Sequence, residues 1–356
     1  MSLLLKSGKE NFPHTTRYFG DTLYTFAKGI YPYSYVDCRA RFDETKLPPI
    51  ENFYNTLTDE PLSIQDYERA QDIWAHYDIQ NLGQYHDHYL LSDVLLLADV
   101  FEHFRHDVLG NHGLDCLYFP TLPSLAWCMA FKHTKVKLDL IQEEDMYLMV
   151  ESGIRGKIST ISNRYSRANN PLVEGYNPQK PTTFITYFDA NNLYGASQSE
   201  PLPVGDFRFL TPEEISQLDF HSIPEDSPTG YIVKCDLKYP DELHSIHSDH
   251  PLAPEHLTVT RDMLSPFAQK LADEHWMSDS KLIPNLLDKK EYVVHYRNLQ
   301  FYMKQGLNIG KIHQVISFTQ SRWLKPWIDL CTSQRQNAKA DFETNLAKLQ
   351  ANSTYG

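Results

Sequence analysis

The hydrophobic period changes twice along this chain, and that switch limits its fold more than any single motif does. Residues 62–78 are predicted helical, and 89–109 more strongly so, because Leu90, Val94, Leu97, Phe101 and Phe104 recur at helical spacing. A further helix is predicted over 140–151, with Gly153 closing it. The period then shortens. Residues 183–189 (Thr-Phe-Ile-Thr-Tyr-Phe-Asp), 207–210 and 231–237 are β-branched and aromatic, punctuated by Asn, Gly and Pro, which predicts antiparallel strands. From about Glu291 helical spacing returns through Tyr292, His295, Tyr296, Leu299 and Tyr302, and a last helix is predicted from about Ser333 past Leu349. The expectation is an α+β chain in which helical material flanks a small sheet.

At 356 residues and 41% hydrophobic, the chain can build two or three modules with their own cores. Its longest apolar run, residues 125–131, falls far short of the ~20 residues of a spanning helix, and the start has no signal-peptide pattern. Neither a membrane partner nor secretion is expected. The five cysteines are odd in number, widely spaced and never in a C-x-x-C pair, which predicts a reducing compartment, nucleus or cytoplasm. A net charge of −13 argues against nucleic acid only as a sum: residues 1–260 carry 20 Lys/Arg against 37 Asp/Glu, residues 261–356 carry 13 against 9. Within the acidic part, residues 153–173 hold Arg155, Lys157, Arg164 and Arg167 and no acid. Such a stripe can track a phosphate backbone, or be a solvated loop.

Three places could carry chemistry. Tyr89 and Asp93 lie four apart on the most periodic helix, so a metal-binding carboxylate and a water-aiming phenol would share a face; a core Tyr with an Asp on the rim fits the spacing equally. Asp189 ends an apolar strand pattern and is followed by the polar turn Ala190-Asn-Asn-Leu-Tyr194-Gly, the placement that metal-assisted phosphoryl transfer needs, or simply a turn cap. Lys348, Asn352 and Tyr355 fall at i, i+4 and i+7, combining an ammonium, an amide and a ring, a set suited to a nucleoside triphosphate. Arg335 and Lys339 upstream could add phosphate contacts or form a solvated face. His244, His247, His250 and His256 suggest a loop rather than a zinc site. No phosphate loop, dinucleotide fingerprint or nucleophile elbow occurs.

In this order, these phrases resemble a family B DNA polymerase of the protein-primed type, found in viruses, linear plasmids and self-synthesising transposons. Tyr89-x-x-x-Asp93 resembles the third exonuclease motif, and Tyr187-Phe-Asp189-Ala-Asn-Asn-Leu-Tyr194-Gly the first palm motif. Lys348-x-x-x-Asn352-Ser353-x-Tyr355-Gly356 matches the fingers motif at every defined position. Residues 95–104, 191–209, 239–255 and 289–301 also read like the family.

The resemblance implies DNA-directed nucleotidyl transfer from deoxynucleoside triphosphates to a primer hydroxyl, with two Mg²⁺ ions, a DNA primer-template and a protein primer as partners. It implies that Asp189 and the Ala190 carbonyl hold metal, Tyr194 underlies the incoming sugar, Lys348 grips the triphosphate with Arg335 and Lys339 nearby, and Asn352 and Tyr355 line the base pair. Arg155, Gly156, Lys157, Ser353 and Gly356 would face DNA. The implied layout is 1–150 as the C-terminal part of a 3′-5′ exonuclease domain with Tyr89 and Asp93 its remnant, 151–260 as linker motif and first part of the palm, 261–322 as a helical insertion, and 323–356 as the start of the fingers.

Departures from the family pattern shape two further expectations. Ile154-Arg155-Gly156-Lys157 stands where the family has Tyr-x-Gly-Gly. The second palm aspartate belongs to a hairpin downstream of the fingers motif, so a polymerase fragment is expected, inactive on its own; the alternative is a noncatalytic nucleic-acid-binding remnant.

Overall fold

The structure, a computed structural model, describes residues 11–20, 29–156, 158–275, 280–339 and 341–355. Its elements in chain order are α1 (Pro13–Phe19), α2 (Ile64–His76), α3 (Leu82–His112), α4 (Leu122–Thr134), α5 (Glu144–Ser152), α6 (Leu193–Gln198), β1 (Leu202–Phe209), α7 (Pro212–Gln217), β2 (Thr229–Lys238), β3 (Glu255–Thr258), α8 (Pro266–His275), β4 (Ser280–Ile283), β5 (Lys289–His295), α9 (Tyr296–Lys304), β6 (Asn308–Ser321), α10 (Lys325–Asn337) and α11 (Asp341–Ser353). The chain divides into two compact units: Met1–Lys135 with Pro326–Gly356, and Val136–Lys325. The α+β expectation holds.

The first unit is helical, and its helices start where short polar side chains can receive orphan N–H groups. Ser63 accepts from Asp66 N, Asn81 from Gln84 N and Thr121 from Ser124 N, at 3.1, 2.9 and 3.3 Å. Gly113 ends α3 at φ +62°, a left-handed turn that a side chain resists. The predicted helix over 89–109 lies inside α3, but its inward face differs from the apolar stripe. Leu82, Tyr85, Ser92, Leu96, Asp99 and Val108 are buried, whereas Leu90, Val94, Leu97 and Phe101 are 40% to 57% exposed. Polar chemistry sets that rotation in part. The buried Asp99 accepts from His14 N, Thr15 N and Thr15 Oγ1 at 2.7 to 3.0 Å, and so holds the first turn of α1 against α3.

In the second unit a four-stranded antiparallel sheet runs in the order β1-β6-β2-β5, and β3 pairs with β4 in a separate ribbon. One sheet face packs on α9 through Val233, Cys235, Leu237, Tyr292, Tyr296, Leu299 and Val315, all buried. The opposite face, with Val293, Ile316 and Phe318, receives Met146 and Met149 of α5.

Four sequence expectations need correction. Residues 183–189 are not a strand: only Thr183 bridges, to Asn169, and no strand of the sheet pairs with the rest. The segment forms no ladder, and Phe184, Ile185, Tyr187 and Phe188 are 64% to 89% exposed. The helix expected from Glu291 begins at Tyr296, after β5; alternation through Tyr292 and Val294 mimicked a helical spacing. The insertion expected as helical over 261–322 contains β4, β5 and β6, the last two in the main sheet. The single last helix is two, α10 and α11.

Candidate functional site

Asp189 and Ala190 lie exposed on the irregular segment that leads into α6. The turn between them and the helix is built by Asn192, which adopts the left-handed conformation at φ +56° and lays its side-chain amide against Gly195. A Cβ at Gly195 would fall 2.4 Å from Asn192 Nδ2, so any side chain there would push the Asn192 amide aside. Tyr194 sits in the first turn of α6, half exposed.

Behind the turn, Glu200 is clamped by two arginines. Arg297 Nη1 and Arg322 Nη2 reach Glu200 Oε2 at 2.7 and 3.2 Å, while Arg322 Nη1 donates to Ser199 O at 2.8 Å, the residue that ends α6. The Arg297 hydrogen bond in particular holds the Glu200 carboxyl below its usual range. Thus the segment carrying Tyr194 is pinned to the start of α9 and the end of β6. Sequence reading missed this clamp, whose partners lie about a hundred residues apart.

On α11 Lys348 is exposed and Asn352 half-buried. The helix ends at Ser353, and the Tyr355 N–H closes a turn on Asn352 O at 3.0 Å, so Tyr355 follows the helix rather than continuing it. Ser353, expected to face DNA, is buried together with Ala347, Gln350 and Ala351 on the packed side of α11. Arg335 is exposed in the last turn of α10. Lys339 lies in the connection beyond it, donating its N–H to Glu343 Oε2 at 2.8 Å. Gly356 lies outside the described residues. Lys348, Asn352 and Tyr355 belong to the first unit, Asp189, Ala190 and Tyr194 to the second.

Tyr89 and Asp93 share one side of α3, yet the phenol has company that the sequence did not advertise. Its hydroxyl bonds the Tyr33 hydroxyl, its ring stacks on Tyr31 with centroids 4.8 Å apart, and Gly29 passes so close that a Cβ would lie 2.5 Å from the ring. Burial, then the Tyr33 contact, pushes the Tyr89 hydroxyl well above its ordinary pKa. The Gly29-Ile-Tyr31-Pro-Tyr33 run, with one glycine beside two tyrosines, was the available signal.

Arg155 is occupied within the protein. Its Nη1 donates to Val293 O at 2.6 Å and Gly153 O at 3.1 Å, and the guanidinium stands 3.9 Å from the centre of the Tyr292 ring. These contacts brace the end of α5 against β5. A Cβ at Gly156 would meet nothing within 4 Å, and Lys157 lies outside the described residues.

No group of three or more His, Cys, Asp or Glu side chains among the described residues could hold a metal ion. No helix among the described residues is long and apolar enough to cross a membrane.

The model of DNA polymerase type B, organellar and viral, matches residues 19–356, and the chain belongs to this family. Among solved structures, the chain is similar to Phi29 DNA polymerase in an orthorhombic crystal form, at 13% identity and TM-score 0.44, covering 92% of this chain and 46% of that one. The Phi29 polymerase complexed with primer-template DNA and incoming nucleotide substrates is similar at 15% identity and TM-score 0.41, covering 92% and 47%. The chain thus spans less than half the length of these polymerases. No curated protein matches it.

Proposed function

We propose that this chain carries part of a DNA-directed DNA polymerase, which transfers nucleotides from deoxynucleoside triphosphates to a primer hydroxyl on a DNA template. The observation that carries the reading is the family match over residues 19–356, which includes the Asp189 and Lys348 motifs. In this reading residues 1–150 are the end of an exonuclease domain and retain Tyr89 and Asp93. Residues 151–260, joined by β5 and β6 from 261–322, form the first part of the palm, and 323–356 begin the fingers. A protein primer is the partner proposed for the remainder of 261–322.

Asp189 and the Ala190 carbonyl would contribute one side of a Mg²⁺ site, and the cofactor implied is Mg²⁺. Tyr194, held by the turn that the Glu200 clamp fixes, would pack under the sugar and reject a 2′-hydroxyl by its bulk. Lys348 would hold triphosphate charge, with Arg335 and Lys339 as further phosphate contacts, and Asn352 and Tyr355 would bound the base pair. Exposure of Lys348 and Arg335 supports these roles, since both cations are open to a ligand.

Lys348→Ala is expected to weaken deoxynucleotide binding tenfold to a hundredfold, because a charged hydrogen bond contributes on the order of 1.5–3 kcal/mol. Titration of the purified chain with a fluorescent deoxynucleoside triphosphate measures this, and affinity within twofold of the parent would remove Lys348 from the site. A second reading, a noncatalytic nucleic-acid-binding remnant, is favoured by one observation: the described residues assemble no metal-binding cluster. It predicts DNA binding without incorporation even when the second palm carboxylate is supplied.

A further inference from the structure

We propose that Glu200 is a positioning residue for sugar selection: clamped by Arg297 and Arg322, it fixes α6 and so sets where the Tyr194 ring stands. The proposal rests on the reading of Tyr194 given above and extends it to a residue beyond the opposite end of the helix. A helix of six residues, Leu193–Gln198, does not keep its place by its own hydrogen bonds. It has to be tied at both ends. Before it stands the left-handed Asn192 turn, at φ +56°. After it, Ser199 returns its N–H and Oγ to Gly195 O at 3.0 and 2.8 Å, and Arg322 Nη1 takes the Ser199 carbonyl at 2.8 Å. The same guanidinium reaches Glu200 Oε2 through Nη2 at 3.2 Å, and Arg297 Nη1 meets that oxygen at 2.7 Å. One arginine thus holds both a carbonyl at the helix end and the carboxylate that follows it.

The two arginines stand on one frame. Arg297 opens α9, where its N–H donates to His295 Nδ1 at 3.4 Å, and Arg322 follows the end of β6. Between them the buried Gln320 donates its amide to Ser227 O at 2.7 Å and to the Tyr296 hydroxyl at 3.0 Å, joining β6 to the first residue of α9. Glu200 is therefore tied to a frame fixed from within the unit. Its side chain is 39% exposed, and ion pairs in contact with water add little to stability. What the clamp supplies is direction, so its loss should shift α6 without unfolding the sheet. Gly195 and Gln198 turn inward while Tyr194 is 47% exposed, so the ring moves with its helix. Asp189 lies on the other side of the Asn192 turn, and a shift of α6 reaches Tyr194 first. A ring free to retreat leaves room for a 2′-hydroxyl, so releasing Glu200 should relax the choice of sugar.

The test is titration of the purified full chain, with Mg²⁺ and a dideoxy-terminated primer-template, using the triphosphates of 2-aminopurine deoxyriboside and 2-aminopurine riboside, whose base reports binding by fluorescence. The parent is expected to prefer the deoxy form by about tenfold or more. Glu200→Gln should lower that ratio by about fivefold by tightening ribonucleotide binding, a gain that damage to the fold does not produce. Arg297→Gln should act alike, and the double variant no more strongly than either single one, because all three remove the same interaction. Arg297→Lys keeps a charge on Glu200 and should retain most of the preference. Amide hydrogen exchange of the ligand-free chain gives a readout that needs no nucleotide: Glu200→Gln should speed exchange over residues 194–200 and leave β2, β5 and β6 as they are. Absence of binding, equal affinities in the parent, or a preference that Tyr194→Val leaves intact would overturn the reading of Tyr194 and the proposal with it. A preference that Tyr194→Val erases and Glu200→Gln keeps would overturn the proposal alone, as would exchange that speeds equally throughout the sheet.

Discussion

Purified residues 1–356, given Mg²⁺, a primer-template and all four deoxynucleotides, are expected to show no template-directed extension. Two-metal phosphoryl transfer needs rigid carboxylates on both sides of the ion pair. Asp189 supplies one from an exposed segment with no strand beside it, and no cluster of three metal-binding side chains exists among the described residues. Loss of a single preorganised electrostatic group typically costs about 10² to 10³ in rate, and Asp189 stands on a segment that no ladder partner holds rigid. A denaturing gel resolves single-nucleotide extension. Extension by the parent chain that Asp189→Asn abolishes would show that the described residues already complete the centre.

Lys289→Ala is expected to destabilise the second unit by about 3–5 kcal/mol, the usual result of stripping one partner from a buried ion pair. The Lys289 side chain is fully buried at the start of β5, where its ammonium meets Glu255 Oε1 at 2.8 Å and bonds the Asn285 side chain, itself 2.9 Å from Glu255. Burial lowers the pKa of Lys289 and the Glu255 carboxylate opposes that shift, so the pair survives only together. These bonds tie the β3–β4 ribbon to the main sheet. Replacing both partners, Lys289→Met with Glu255→Leu, should be far milder because no charge is left alone. Urea unfolding of each variant checks this; a loss below about 1 kcal/mol for Lys289→Ala would show that the pair contributes little.

Periodicity made α3 legible, yet not its orientation. The apolar stripe from Leu90 to Phe101 satisfied helical spacing, but Asp99 and Ser92 face inward because Asp99 receives the N–H groups opening α1, a contact 84 residues distant. Tertiary hydrogen bonding of this kind leaves no periodic trace. The strand pattern of 183–189 was real as a pattern, and a ladder needs a partner that local sequence does not specify. β6 was missed for the opposite reason: Val315, Ile316, Ser317 and Phe318 are buried on both faces, so alternation disappears at the centre of the sheet. The break between α10 and α11 falls in Asn337-Ala-Lys339, without Pro or Gly to announce it. At the candidate site, motif wording singled out Asp189, Tyr194 and Lys348. The Glu200 clamp and the Arg155 brace depend on residues from β5, α9 and β6, and became visible only with the fold.

The central proposal, that Asp189 is a catalytic carboxylate of a DNA polymerase, is tested most directly by joining the chain to the rest of a palm. Residues 1–356 would be fused to the second palm hairpin and thumb of a family B polymerase, and single-nucleotide incorporation measured with Asp189 intact and as Asp189→Asn. The account predicts template-directed incorporation by the intact fusion and a fall of at least about 10² in rate on the substitution. DNA binding with no incorporation by the intact fusion, or incorporation that Asp189→Asn leaves unchanged, would contradict it.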